Sequence, residues 1–443
     1  MHLPIVSTLA MGAALLAVSP AFADAIVYRG IVGNSPILLE LSEPAQSADG
    51  KLVGRYFYAS NGVDIPLAAR HVTKGTLDLD EEKPCTDKIC HDAPDGQKPT
   101  PPVGAHWHLT VAAGGGYLSG TWTSAKGGKP LRLSLTMVNA RPLPGDFDGT
   151  AQGLTSVVDG FTAGENELTT LNSPYDFMKF DEAHYAKGPP QAFDASTFSY
   201  WTDPRTKFAF PRITSLAGGA DMSAANHYLE QQHWLNNTVA LECESQIYQG
   251  FGWLEASGSD VGTLGGMDDA SFTVNYLSPT ILSYLDSGSP DCANAHPDDH
   301  ADYYNLDVRT GKLLDLSLIF KGWVPTPNDD SSPKDLASAR AKPGDYTWGP
   351  DKTLEAFVRA NTPKDASAFG TPGDDSCTSD DLFASNLDIT FVDGDKVRFA
   401  IDRLPYAVVA CGGDLFDMPV AKLKDLLTPA AAEYFPSLAS NGS

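Results

Sequence analysis

The strongest constraint on this chain is an alternation of apolar and polar residues that recurs between reversal signals. Trp107, Leu109 and Val111 alternate with their neighbours, as do Leu131, Leu133, Leu135 and Met137. A period of two places successive side chains on opposite faces of a strand, so each run describes a strand with one buried face. Asn61-Gly62, Gly114-Gly115-Gly116 and Gly127-Gly128 supply reversals between such runs. The signature returns later, where Leu387, Ile389 and Phe391 lead into Asp393-Gly394 and Val397, Phe399 and Ile401 lead out. Several short strands in succession predict a small all-β unit, sheet or barrel-like, over residues 24–145.

Helical signals are fewer. From Asp221, the stretch DMSAANHYLEQQHWLNNTVALECESQIY contains neither Pro nor Gly. It predicts a helix capped by Asp221 and interrupted near Asn236-Asn237. Pro419 is expected to open a last helix, with Val420, Leu423 and Leu427 at helical spacing. Residues 146–205, rich in Pro, Gly, Asp and aromatics, read as an irregular connection, and residues 324–350 as a flexible insertion with a helical turn.

An apolar run from Leu3 to Val18, a break at Pro20 and the triplet Ala21-Phe22-Ala23 form the pattern of a secretory signal, expected over residues 1–23. No later run is long and apolar enough to suggest a membrane span, so a periplasmic or secreted protein without stable membrane insertion is expected. Six cysteines suit that compartment as disulfides. Proximity favours Cys85 with Cys90, which leaves three ways to pair Cys243, Cys292, Cys377 and Cys411.

The formal net charge is −25, which argues against nucleic acid as a partner, because phosphate binding needs clustered Lys and Arg. From Ile213 to Val308 there is no Lys or Arg and there are 14 acidic residues. A field of that sign attracts basic partners or cations, although acidic surface also serves solubility alone.

Within that stretch, PDCANAHPDDHADYYNLDV gathers His296, Asp298, Asp299, His300 and Asp302. Two histidines four apart bind zinc when they share a helical face, but Pro297 follows the first and no helical period surrounds them. His296 and His300 are therefore weak metal candidates, and the five residues together are a candidate binding corner. His106-Trp107-His108 lies in an alternating run, so its histidines share a face and could chelate. Such a pair is more often solvent-facing beside a buried Trp. Nucleophile elbows, C-x-x-C and glycine-rich phosphate loops are absent, no carboxylate pair is singled out, and no cofactor is implied.

The segments SFTVNYLSPTILSYL (271–285), YYNLDVRTGKLLDLSLIF (303–320) and LDITFVDGDKVRFAIDRLPYAVVACGG (387–413) resemble, in order and spacing, an extracytoplasmic domain family, RsiV-like and PdaC-like. That family includes the ectodomain of a lysozyme-sensing anti-sigma factor and the non-catalytic N-terminal part of a peptidoglycan deacetylase. The resemblance covers roughly residues 200–430, and the chain departs from it in carrying Cys292 and Cys411 and in lacking a Gly-Gly-Ala-His turn. It implies an α+β domain over residues 206–435, helices packed on an antiparallel sheet, followed by a tail at 436–443. It also implies that the corner at His296 is a turn between strands, and that Cys243 pairs with Cys292 and Cys377 with Cys411. The resulting expectation is an exported, non-catalytic cell-envelope binding protein whose acidic domain recognises a basic protein such as lysozyme, or a peptidoglycan-related ligand. The alternatives are a metal-dependent envelope hydrolase using the His/Asp loop and a structural envelope stress protein.

Overall fold

The computed structural model describes residues 25–43, 52–85, 102–144, 147–164, 166–249, 270–290, 299–328, 335–366, 368, 377 and 380–440. Among these, strand accounts for 42% and helix of all kinds for 26%, so the chain is mostly β. This corrects the expected α+β class. The helices are too few and too short to form a layer of their own, and the N-terminal unit is a complete closed barrel.

The barrel is built from β1 (Ala25–Val32), β2 (Ser35–Ser42), β3 (Val53–Tyr58), β4 (Ile65–Thr73), β5 (Thr76–Glu82), β6 (Val103–Val111), β7 (Tyr117–Ser124) and β8 (Leu131–Arg141). Each strand pairs antiparallel with the next, and β8 returns to β1 with Ala25 opposite Arg141. Closure removes both sheet edges, and eight strands leave an interior that side chains fill. Leu39, Tyr56, Leu67, Leu79, Trp107, Leu109 and Leu133 fill it. Gly30 and Gly120 mark the tightest approaches, since a Cβ at either would meet a carbonyl oxygen of the adjacent strand within 2 Å.

Residues after β8 cover the outer wall of β1 to β3. They contribute Leu143, Phe147 and Leu154, then α1 (Ser156–Thr162) and α2 (Pro174–Asp181), whose Tyr175 packs on Val27, Leu38 and Phe57. Beneath this cover lies a buried ionic network. Arg55 reaches Glu40 at 2.8 Å, Asp176 at 2.7 Å and Asp64 at 3.1 Å. Arg141 reaches Glu40 at 2.7 Å, and Lys179 reaches Asp64 at 2.8 Å.

The long helix α3 (Ser223–Tyr248) ties the halves together. It runs unbroken through Asn236-Asn237, where buried Asn237 accepts a hydrogen bond from the Thr206 hydroxyl at 2.5 Å. At its end, the Tyr248 hydroxyl donates to the Glu82 carbonyl, and the Tyr248 carbonyl accepts from Cys85 N, both at 2.9 Å.

Beyond α3, the C-terminal half is a stack of antiparallel sheets. A central sheet orders β13 (Ser271–Leu277), β14 (Ile281–Gly288), β15 (His300–Asp307) and β16 (Lys312–Leu313). One face packs on α3 and on the sheet containing β11 (Ser196–Thr202) and β12 (Ala209–Ser215), through Phe210, Phe272, Leu282 and Leu306. The other packs on β19 (Leu387–Val392), β20 (Lys396–Ile401) and β21 (Gly413–Pro419). Across that contact, Asn305 Nδ2 donates to the Ile389 carbonyl at 2.7 Å. The helix expected from Pro419 is a single 3₁₀ turn, Val420–Lys422, because the preceding residues pair with β20 as a strand. Cys377 and Cys411 are joined, with Cα atoms 5.1 Å apart. Cys85 and Cys243 each take part in a disulfide as well, and Cys90 and Cys292, with which the expected pairings would join them, lie outside the described residues.

Candidate functional site

A cleft of about 380 Å³ opens where the ends of β14 and β15 meet the ends of β20 and β21. Antiparallel register sets Asp286 directly across from Asp302 and His300 across from Gly288. The cleft therefore collects Asp286, Asp299, His300, Asp302 and Tyr304 on one wall, with Asp402 and Arg403 on the other. Three residues of the sequence-derived corner, Asp299, His300 and Asp302, come together here. His296 and Asp298 lie outside the described residues.

The floor holds a pair that sequence reasoning missed. Asp388 on β19 and Asp402 just after β20 are both buried and hydrogen-bond each other through their side chains. Asp402 Oδ2 also accepts from Tyr303 N at 3.0 Å. Burial, then the neighbouring Asp388, pushes the Asp402 carboxyl up to about 9, and Asp388 is raised by burial as well. Two carboxyls in contact away from water cannot both ionise at modest energy, so the pair keeps a proton between them.

Arg403 closes the arrangement. Its guanidinium meets Asp388 Oδ2 at 3.2 Å and donates to the Tyr303 carbonyl at 3.1 Å, and its backbone N donates to Asp302 Oδ1 at 3.2 Å. It sits at φ +53°, left-handed backbone that arginine rarely adopts and that clusters at functional positions. Burial raises the Asp302 carboxyl, and Asp286 adds to the rise. His300 Nε2 lies 3.3 Å from Asp286 Oδ1.

Among the described residues, no three His, Cys, Asp or Glu side chains converge as a cation requires. No described helix is long and apolar enough to cross a membrane. A larger groove of about 760 Å³ lies between the barrel wall and α2, but its cations are matched: Arg29 by Glu182, Lys179 by Asp64 and Arg205 by Asp203. In the smaller cleft carboxyls outnumber cations and their proton affinities are displaced, the combination that marks a functional candidate. No family model matches the chain, and no curated protein sequence is similar to it beyond chance.

Proposed function

We propose that this is an exported, non-catalytic binding protein of the cell envelope whose acidic cleft receives a cationic side chain from a basic protein, of which lysozyme is the type. The observation that carries the reading is the charge balance of the cleft. Asp286, Asp299 and Asp302 line it, while the guanidinium of its arginine is already engaged by Asp388 and Asp402. A guanidinium or ammonium entering there meets three carboxyl groups, of which Asp286 already faces His300, beside the Tyr304 ring. Asp286, Asp299 and Asp302 all belong to the stretch without Lys or Arg from Ile213 to Val308. The resemblance of roughly residues 200–430 to a lysozyme-sensing ectodomain supports the same partner class.

Calorimetric titration of the disulfide-intact chain with a basic lysozyme tests the proposal. One-to-one binding at low salt is expected to weaken as salt is raised, since exposed charges are screened over about 8–10 Å at ordinary ionic strength. Asp299→Asn and Asp302→Asn should each weaken it by roughly three- to tenfold, about 0.7–1.4 kcal/mol. Absence of binding at low salt, or binding indifferent to salt and to both substitutions, would sink the reading. Uptake of a peptidoglycan fragment in place of lysozyme would redirect it.

A further inference from the structure

The outer face of the barrel carries a second polar constellation, remote in sequence from the acidic cleft. His106 and His108 flank Trp107 on β6, and the Trp107 ring is fully buried in the barrel. Strand alternation therefore turns both imidazoles outward, with side chains 38% and 62% exposed. The pairing of β5 with β6 sets Asp80 opposite His106 and Asp78 opposite His108. His106 Nδ1 stands 2.7 Å from Asp80 Oδ1, and His108 Nδ1 stands 2.6 Å from Asp78 Oδ1. Facing a carboxylate oxygen at such a distance, Nδ1 carries the proton, and a neutral ring then keeps its lone pair on Nε2.

A metal-ligating histidine commonly donates its other ring N–H to a carboxylate, which fixes tautomer and orientation and raises ligand basicity. Here that support is built twice, side by side. Residues two apart on a strand are about 7 Å apart, so two imidazoles leaning together can meet one ion. Each Nε2 would then sit at about 2.0–2.1 Å from the metal. A pair of ordinary surface ion pairs would explain either contact alone but gives no reason for both rings to be held in the same tautomer on the same face. Arg70, at a bulge in β4, lies 3.3 Å from His106 Nδ1 and 3.8 Å from Asp80 Oδ1, on the carboxylate side of the ring rather than at Nε2.

We propose that His106 and His108 form a two-histidine site for a divalent transition metal such as Zn²⁺, Ni²⁺ or Cu²⁺, with Asp80 and Asp78 as positioning carboxylates and water completing the coordination. Imidazole suits these three ions, and the usual order of affinities places Cu²⁺ tightest.

Titration of the full disulfide-intact chain with Ni²⁺ and with Zn²⁺ at pH 7.5 is expected to show one equivalent bound. His106→Ala and His108→Ala should each reduce affinity at least tenfold. Asp78→Asn and Asp80→Asn should reduce it by roughly 10- to 100-fold without removing a ligand, a loss that only a positioning role explains. All four side chains lie on the outer face of the barrel and are at least partly exposed, so circular dichroism of the four variants is expected to match the parent. No binding, or an equivalent that survives in the His106→Ala/His108→Ala double variant, overturns the proposal. Loss of the equivalent in His300→Ala with the pair intact places the ion in the acidic cleft and overturns it too.

Discussion

The seam between barrel and helices and the cleft at the C-terminal sheets use the same residue types to opposite ends. In the seam, Arg55, Arg141 and Lys179 meet Glu40, Asp64 and Asp176, so buried charges are matched in number and in geometry. Burial alone would raise Asp176, yet Arg55 and Lys179 beside it hold its carboxyl below the ordinary range. In the cleft, Asp302, Asp388 and Asp402 gather on Arg403 with Asp286 and Asp299 on the same lining, and Asp302, Asp388 and Asp402 are displaced upward, toward holding protons. Matched charges fix an interface, whereas an excess of one sign is tolerated by proton retention and is relieved when a cation arrives.

The largest effect should come from breaking the match. Arg55→Met removes the cation shared by Glu40, Asp64 and Asp176 and leaves the network's three carboxylates against two cations, Arg141 and Lys179. Losing one partner of a buried ionic group destabilises by about 3–5 kcal/mol. Urea denaturation followed by tryptophan fluorescence measures it. A loss below about 1 kcal/mol would mean that the seam is solvated and that the contrast with the cleft is false.

A subtler test uses a seam acid that resembles those of the cleft. Burial, reinforced by Asp176 and Asp159 against Lys179 and Arg55, lifts the Glu242 carboxyl on α3 to about 7 from an ordinary 4.5. A carboxyl with a raised folded-state pKa favours folding while both states hold the proton, below about pH 4.5. That advantage is lost as pH climbs through 7, where the unfolded chain is ionised and the folded one must follow. The loss attributable to Glu242 is up to about 3 kcal/mol. Comparing denaturation of the parent and Glu242→Gln from pH 4.5 to 8 isolates it, because the other titrating groups cancel. The variant's curve should be flatter over that interval, and parallel curves would refute the assignment.

How far the sequence revealed these regions depends on range. The barrel strands were legible because a period of two and glycine turns are local signals. Closure was not, because it rests on β1 meeting β8 across more than a hundred residues, Ala25 to Arg141. The helix of α3 was legible, but its continuity through Asn237 depends on Thr206, which no local pattern announces. Helical spacing after Pro419 misled because the residues just before it complete a ladder with β20. In the cleft, Asp299, His300 and Asp302 stood out as a polar cluster. Asp388 and Asp402 did not, since a polar residue alternating in a hairpin reads as solvent-facing. Here every residue of β19 is buried, because the sheet of β13–β16 covers what would have been the wet face. Two aspartates at the paired ends of one hairpin, Leu387 opposite Ile401, were the signal that was available.

The smallest effect is the sharpest discriminator, because its sign reverses between the two regions. Asp302→Asn keeps an amide oxygen that can accept from Arg403 N, as Asp302 Oδ1 does at 3.2 Å, but removes a carboxyl that burial has raised. In the parent, the folded chain resists ionising this group, so its stabilising advantage is present at acid pH and fades above the ordinary carboxyl range. The variant escapes that loss. Because Asp302 borders an open cleft and solvent screens it, the gain should be small at pH 7 and near zero at pH 3.5. Asp176→Asn in the seam should do the reverse at pH 7, since it strips Arg55 and Lys179 of a matched charge. Thermal unfolding of the two variants at both pH values measures the signs directly. If Asp302→Asn also destabilises at pH 7, the cleft carboxylates are structural ions like those of the seam. If it stabilises while weakening lysozyme binding, the cleft gives up folding stability to keep a negative site open for a cationic partner.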